Sequence, residues 1–224
     1  DMSDFLWGAL PYVALIILIV GTGVRYSLDE RNWTTKSSEF LSKKSLKFAG
    51  PIFHLGLFMA IGGHFVGILV PKFLTDDFGI DEHLYHMIAL SGGIPAGILF
   101  FVGFCMLMQR RFGNPKMSVN TSKIDGFLYV ILFGAIATGC LATALNATGI
   151  LGDFNYRETI SPWFRSILML QPDVELMESV PLIFKCHMLM WMATAIIFPF
   201  TRLVHCLSFP FEYFVRSSII YRKK

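Results

Sequence analysis

Five apolar runs decide what this chain can fold into. They cover residues 5–24, 48–70, 87–108, 126–151 and 180–201, and each is long enough for the roughly 20 residues a membrane span needs. The first four contain no Asp, Glu, Lys or Arg, and the fifth contains only Lys185. In lipid the backbone must satisfy its own hydrogen bonds, which such runs achieve as helices. The expectation is an all-α integral membrane protein, a five-helix transmembrane bundle. Pro199 lies near the end of the fifth run. Membrane helices tolerate proline, so this helix is expected to continue to about residue 207. Residues 1–208 then form one membrane domain and 209–224 a tail.

Composition agrees. Only 16% of residues are charged, against about 25% in soluble domains. A net charge of +3 is too mild for a nucleic-acid partner. The cysteines at 105, 140, 186 and 206 form no C-x-x-C or C-x-x-C-H. This excludes the spacing of thiolate clusters and of covalently attached haem. The first run has no basic region before it and no cleavage site after it, so it is expected as a mature helix.

The connections set an expected orientation. Arg25, Arg31, Lys36, Lys43, Lys44 and Lys47 follow the first run. Arg110, Arg111, Lys116 and Lys123 follow the third, and Arg202, Arg216, Arg222, Lys223 and Lys224 follow the fifth. Only Lys72, Arg157, Arg165 and Lys185 lie on the other side. The positive-inside rule puts the N-terminus outside and the C-terminus in the cytoplasm, in a multi-pass protein of the cytoplasmic membrane. The outer connections are acidic, with Asp76, Asp77, Asp81 and Glu82 in one and Asp153, Glu158, Asp173, Glu175 and Glu178 in the other. Trp163, Phe164, Ile167, Leu168 and Leu170 suggest a short helix in the outer interface.

Four of the six histidines, His54, His64, His187 and His205, lie in or beside apolar runs. Ionisable groups there mark function by default, although a lone histidine also serves as a hydrogen bond between helices. These four pair by depth. The second and fifth helices run in opposite directions, so His64 comes level with His187 near the outer face and His54 with His205 near the inner face. Each pair can clamp a flat iron porphyrin with imidazole on both sides. His187 and His205 are 18 residues apart, which at 100° per residue returns them to one face of a continuous helix. The rises differ, ~15 Å for ten residues and ~27 Å for eighteen, and tilt must absorb the mismatch.

Neighbouring residues carry two readings each. Gly56, Gly62, Gly63 and Gly67 admit either a planar group or a packed helix. Lys185 and Arg202 suit anionic haem propionates, or serve as snorkelling and topology charges. His83 and His86 have one-turn spacing at the outer start of the third helix. They read either as solvated interface residues or, with Tyr85 and Gly63, as a quinol site.

At this point the chain resembles a known family, the gamma subunits of membrane-bound respiratory nitrate reductase. The resemblance covers nearly the whole chain. It is carried by Ile52-Phe53-His54-Leu55-Gly56, Gly63-His64-Phe65, Ser91-Gly92-Gly93, Ile183-Phe184-Lys185-Cys186-His187, the stretch from Phe198-Pro199-Phe200 through Thr201-Arg202-Leu203-Val204-His205, and Phe211-Glu212-Tyr213. It implies two b haems, an outer one on His64 and His187 and an inner one on His54 and His205. It also implies quinol as electron donor, and an iron–sulfur subunit and a molybdenum-cofactor catalytic subunit on the cytoplasmic side. The chain would be the quinol-oxidising electron-transfer subunit of a quinol:nitrate oxidoreductase in anaerobic respiration. The region His83–His86 departs from the family pattern, which often carries lysine there. Two rivals stand beside this expectation: a dihaem cytochrome b of a sulfur-compound or heterodisulfide reductase, and a haem-free transporter or structural membrane anchor.

Overall fold

The computed structural model describes residues 1–28, 43–119, 121–152 and 154–207. The expected docking tail, 209–224, lies outside the described residues, as do Arg31 and Lys36. A π-helical turn, Asp4–Ala9, leads into α1 (Leu10–Leu28). Then follow α2 (Lys43–Leu69), α3 (Lys72–Asp77), α4 (Glu82–Phe112), α5 (Pro115–Ser118), α6 (Lys123–Ala147), α7 (Ile160–Leu168) and α8 (Leu182–Ile197). Tight 3₁₀ turns at Phe198–Phe200 and Arg202–Leu207 follow α8. Five segments are long and apolar enough to cross a membrane: Asp4–Leu28, Leu46–Leu69, Glu82–Phe112, Lys123–Ala147 and Leu182–Phe200. The described residues contain no strand.

Local chemistry explains where the boundaries move from those expected. The third span begins five residues earlier, because the Asp81 side chain accepts the Leu84 N–H at 2.8 Å and caps α4. His83, Tyr85 and His86 are therefore helical. The fourth span also begins earlier, at a capping box in which the Ser122 hydroxyl accepts the Asp125 N–H and the Asp125 carboxylate accepts the Ser122 N–H. It ends by Ala147, short of the expected residue 151. Gly149 takes φ +70°, a left-handed conformation that stops a helix.

The fifth span departs furthest. It does not continue as one helix to residue 207. The α-helix ends at Ile197, Thr201 is extended (φ −112°, ψ 178°), and His205 lies in a separate 3₁₀ turn. Pro199 cannot donate a backbone hydrogen bond. Beyond this break the carbonyls of Pro199 and Thr201 lie outside α8 and accept from Arg25 at 2.6 and 2.7 Å. The eighteen-residue periodicity argument for His187 and His205 therefore fails, and the ~27 Å rise with it.

The spans form an arc. α2 lies along α4, α4 against α6, α6 against α8, and α8 against α1. The α2–α4 contact is the tightest. A Cβ on Gly56 would overlap the backbone nitrogen of Phe100, and one on Gly103 would lie 2.5 Å from Cα of Phe53. Helices in lipid gain mostly from such close packing. α2, which carries His54 and His64, and α8, which carries His187, do not pack along each other and face across the arc.

One end is built as a cap. α7 buries Ile160, Trp163 and Ile167 with Trp7, Met177 and Val180. This is the short helix expected from its aromatic residues, and it is seated on the bundle. The last carbonyls of α2 have no helical partner of their own. Ser161 Oγ donates to the Gly67 carbonyl at 2.8 Å and Arg165 to that of Ile68 at 2.9 Å, while Trp163 Nε1 donates to the Trp7 carbonyl at 2.9 Å.

Candidate functional site

The four membrane histidines share one local feature. Nδ1 lies within hydrogen-bond distance of a main-chain carbonyl in every case. The partners are Gly50 for His54 (2.8 Å), Ala60 for His64 (2.6 Å), Ala135 for His187 (2.9 Å) and Arg202 for His205 (2.6 Å). A carbonyl only accepts, so each Nδ1 must carry the proton. Each Nε2 then keeps its lone pair. This is the neutral imidazole form that ligates a metal, with its other nitrogen held by a carbonyl. Among the described residues, no carbonyl holds His83 or His86 in this way.

His64 and His187 face each other. Their ring centroids are 5.8 Å apart and their planes are inclined by 35°. A metal–imidazole bond of about 2 Å puts the ring centre about 3 Å from the metal, and half of 5.8 Å is 2.9 Å. One iron between the rings therefore fits the spacing. Around them, Thr138 Oγ lies 3.2 Å from His187 Nδ1 and donates its own proton to the Gly134 carbonyl at 2.6 Å. Trp191 Nε1 donates to His187 Nε2 at 3.1 Å, so a metal on that nitrogen would take the place of the indole N–H. A Cβ on Gly139 would come 2.7 Å from the His187 ring.

Among the described residues no three His, Cys, Asp or Glu side chains gather as a cage for a bare metal ion. Two imidazoles are the protein ligands of a bis-histidine haem, whose macrocycle supplies the other four donors. The donor set, the tautomers and the spacing at His64 and His187 fit a bis-imidazole haem. The other pair is placed differently. His54 lies inside α2 and His205 in the 3₁₀ turn, and among the described residues no ring contact joins them.

The glycines divide. Gly56 and Gly67 are packing positions. A Cβ on Gly67 would lie 3.3–3.4 Å from the Tyr156 ring and from the Tyr85 hydroxyl. A Cβ on Gly62 or Gly63 would meet nothing within 4 Å; Gly62 lies on the face of α2 opposite His64, about 200° round the helix, and Gly63 flanks it at about 100°. Lys185 Nζ donates to the Glu178 carbonyl at 3.2 Å. Arg202 grips Asp125, its Nε at 3.0 Å and a terminal nitrogen at 2.8 Å from the two carboxylate oxygens.

Of the expected quinol residues, His83 is exposed and His86 half-buried, while Tyr85 turns inward and is buried. The Arg157 guanidinium lies 3.6 Å over the Tyr85 ring. Arg157 also donates to Thr75 Oγ at 2.6 Å and Glu82 at 3.2 Å, and Lys72 bonds Glu158 at 2.7 Å. The Tyr156 hydroxyl donates to that of Tyr85 at 3.4 Å. Burial, then the Tyr85 hydroxyl, pushes the Tyr156 phenol far above its ordinary range. A cavity of about 370 Å³ lies at this end between Leu151, Phe154, Asn155, Glu158, Thr159, Ser179 and Pro181. Sequence reasoning missed Asp125, Thr138, Trp191 and the Arg157–Glu82 pair. The signal for Asp125 was a lone acid three residues after Ser122 at the mouth of an apolar run.

These features define a class: a polytopic helical membrane protein that presents neutral, carbonyl-anchored imidazoles from two helices facing across an arc. The chain belongs to the nitrate reductase gamma subunit family, whose model matches residues 3–224. It is 43% identical over 222 residues to the nitrate reductase gamma chain of Bacillus subtilis, covering 99% of each chain. It is 40% identical over 224 residues to a nitrate reductase-like protein of Mycobacterium tuberculosis, covering all of this chain and 34% of that longer one. To the respiratory nitrate reductase 1 gamma chain of Escherichia coli it is 27% identical, over 100% and 98% of the two chains. Membership makes it a membrane electron-transfer subunit of a multi-subunit oxidoreductase, nitrate reductase.

Proposed function

We propose that this chain oxidises quinol near the end that carries His64 and passes the electrons through two b haems to iron–sulfur and molybdenum subunits that reduce nitrate. The orientation proposed is N-terminus outside and C-terminus cytoplasmic, from the basic residues, so the His64 end is the outer end. Residues 1–208 hold the cofactors and 209–224 dock the partners. The observation that carries the reading is the facing pair His64 and His187, 5.8 Å apart with both Nδ1 atoms on carbonyls. His54 and His205 have the same tautomer and form the inner pair.

The haems, when bound, supply one-electron carriers between the two ends. The protein's part is to fix ligand orientation and exclude water. Carbonyl bonds set each ring's rotation and raise its basicity. Gly63 leaves open space beside His64, and Lys185 offers a cation for an anionic edge. His83 and His86 stand at the outer start of α4, where they can accept protons released as quinol becomes quinone.

Reduced-minus-oxidised spectra of four single variants test this. His64→Ala and His187→Ala should each lose the outer b-type centre, and His54→Ala and His205→Ala the inner one. Retention of two low-spin haems in all four variants overturns the assignment.

A further inference from the structure

The His205 end poses a problem of orientation that the rest of the bundle does not. His54 and His64 bond to carbonyls one turn back in their own regular helix, α2. His187 is held by the Ala135 carbonyl of α6, a helix packed along its own. His205 has neither support. Its chain has left α8 at Pro199, and its Nδ1 partner is the Arg202 carbonyl within a short 3₁₀ turn. Such turns have poor hydrogen-bond geometry and hold themselves weakly.

Side chains from elsewhere hold this one. Arg25 of α1 donates to the Pro199 and Thr201 carbonyls. Asp125, in the first turn of α6 and 1% exposed, takes both donors of the Arg202 fork. Arg202 is thus fixed twice. Its side chain is gripped by α6, and its carbonyl takes the proton of His205.

We propose that Asp125 is the positioning residue for His205: by gripping Arg202 it fixes the carbonyl that aims the imidazole. The inference rests on the reading of His205 as the inner haem ligand. Capping α6 accounts for one contact only, the Ser122 N–H on Asp125 Oδ2 at 3.3 Å, while both carboxylate oxygens also take the Arg202 fork at 3.0 and 2.8 Å. A charge that only set topology or met an anion would need no fork. A bidentate pair admits one orientation of the guanidinium, which lysine cannot reproduce. A carboxylate at the mouth of a span is costly to bury, and here it is matched by a partner 77 residues away in sequence.

The test uses the intact complex in membranes. Asp125→Ala, Asp125→Asn and Arg202→Lys are compared by haem content and by the largest g value of each ferric low-spin haem. That g value depends on the angle between the two imidazole planes, so it reads ring orientation. Asp125→Ala and Arg202→Lys should shift the inner-haem g value, or lower inner-haem content several-fold, with the outer haem unchanged. Asp125→Asn keeps one acceptor oxygen and should shift it less. If Asp125→Ala does not accumulate, Asp125→Asn decides by the same criterion. An unchanged inner-haem signal in the variants that accumulate overturns the positioning role. His205→Ala tests the underlying reading separately: loss of the inner haem there, with unchanged signals in the other variants, means His205 is a ligand that Asp125 does not position. Both haems retained in His205→Ala overturns the ligand reading and the proposal with it.

Discussion

The two ends of the bundle hold their histidines by different means. At the His64 end, His64 lies within a continuous helix and His187 against a neighbouring one, and helical backbone supplies both carbonyls. Above them, α7 and the Arg157 network close the helix ends. At the other end, His54 also lies within α2, three residues after Pro51, but His205 follows a broken helix and is held by Arg25, Asp125 and Arg202. Regular helix orients a ligand at no further cost in side chains. A break must be stabilised by side chains from other spans, each of them a charge at the membrane boundary.

Glycine substitutions give the largest expected contrast. Gly56, two residues after His54, lies against the Phe100 backbone, whereas Gly63, just before His64, has open space at its Cβ position. Gly56→Ala forces α2 and α4 apart and should destabilise the fold by about 3 kcal/mol or more, at the upper end of overpacking costs. Gly56→Val should prevent accumulation in the membrane. Gly63→Ala should leave accumulation and the heat-denaturation midpoint unchanged while altering the outer-haem spectrum or quinol affinity. Equal loss of protein in the two alanine variants, measured by immunoblot and thermal melt in detergent, would remove the distinction between a packing glycine and a site glycine.

A smaller effect is expected at the outer network. Arg157 is 3% exposed and joins α3, α4 and the loop before α7. Arg157→Ala leaves the Thr75 hydroxyl and the Tyr85 face without their partner, at about 2 kcal/mol. Glu82→Gln should cost less, because that carboxylate is 40% exposed and water can replace the arginine. On heating in detergent, Arg157→Ala should release the outer haem before the inner one. Simultaneous release would show that the network supports the bundle as a whole.

Much of this architecture was legible in the sequence. The uncharged runs named the five spans, because length and apolarity are local properties. Opposed helix directions predicted that His64 and His187 would meet, and their rings do. The fate of Pro199 was not legible. Whether a helix continues past a proline depends on what holds the chain after it, and here Arg25, 174 residues from Pro199, takes the Pro199 carbonyl. Arg202 read as a partner for an anionic cofactor or as a topology charge, since no local pattern tied it to Asp125. Gly56 and Gly63 looked equivalent for the same reason: the backbone that fills one Cβ position belongs to another helix.

The smallest effect is expected at the Tyr85–Tyr156 pair, and it bears on how protons leave. The two hydroxyls are 3.4 Å apart beside Gly67, one turn beyond Gly63 on α2, so they stand where a proton path from an outer quinol could run. A relay that ionises would need a phenol with a pKa near the working pH. Burial moves Tyr156 the other way, well above its ordinary value of 10.0. The raised value keeps Tyr156 neutral at every pH below 10, so it contributes no titration to the reaction there. Tyr156→Phe removes one long, weak hydrogen bond, about 0.5 kcal/mol or less of stability. Proteoliposomes given quinol and the terminal acceptor should acidify the outer compartment, and Tyr156→Phe should leave both the side of release and the pH profile of the rate unchanged. A shifted pH profile in Tyr156→Phe would make the tyrosine pair part of the proton path. Release on the cytoplasmic side would instead move quinol oxidation to the His205 end and reverse the roles assigned to the two ends.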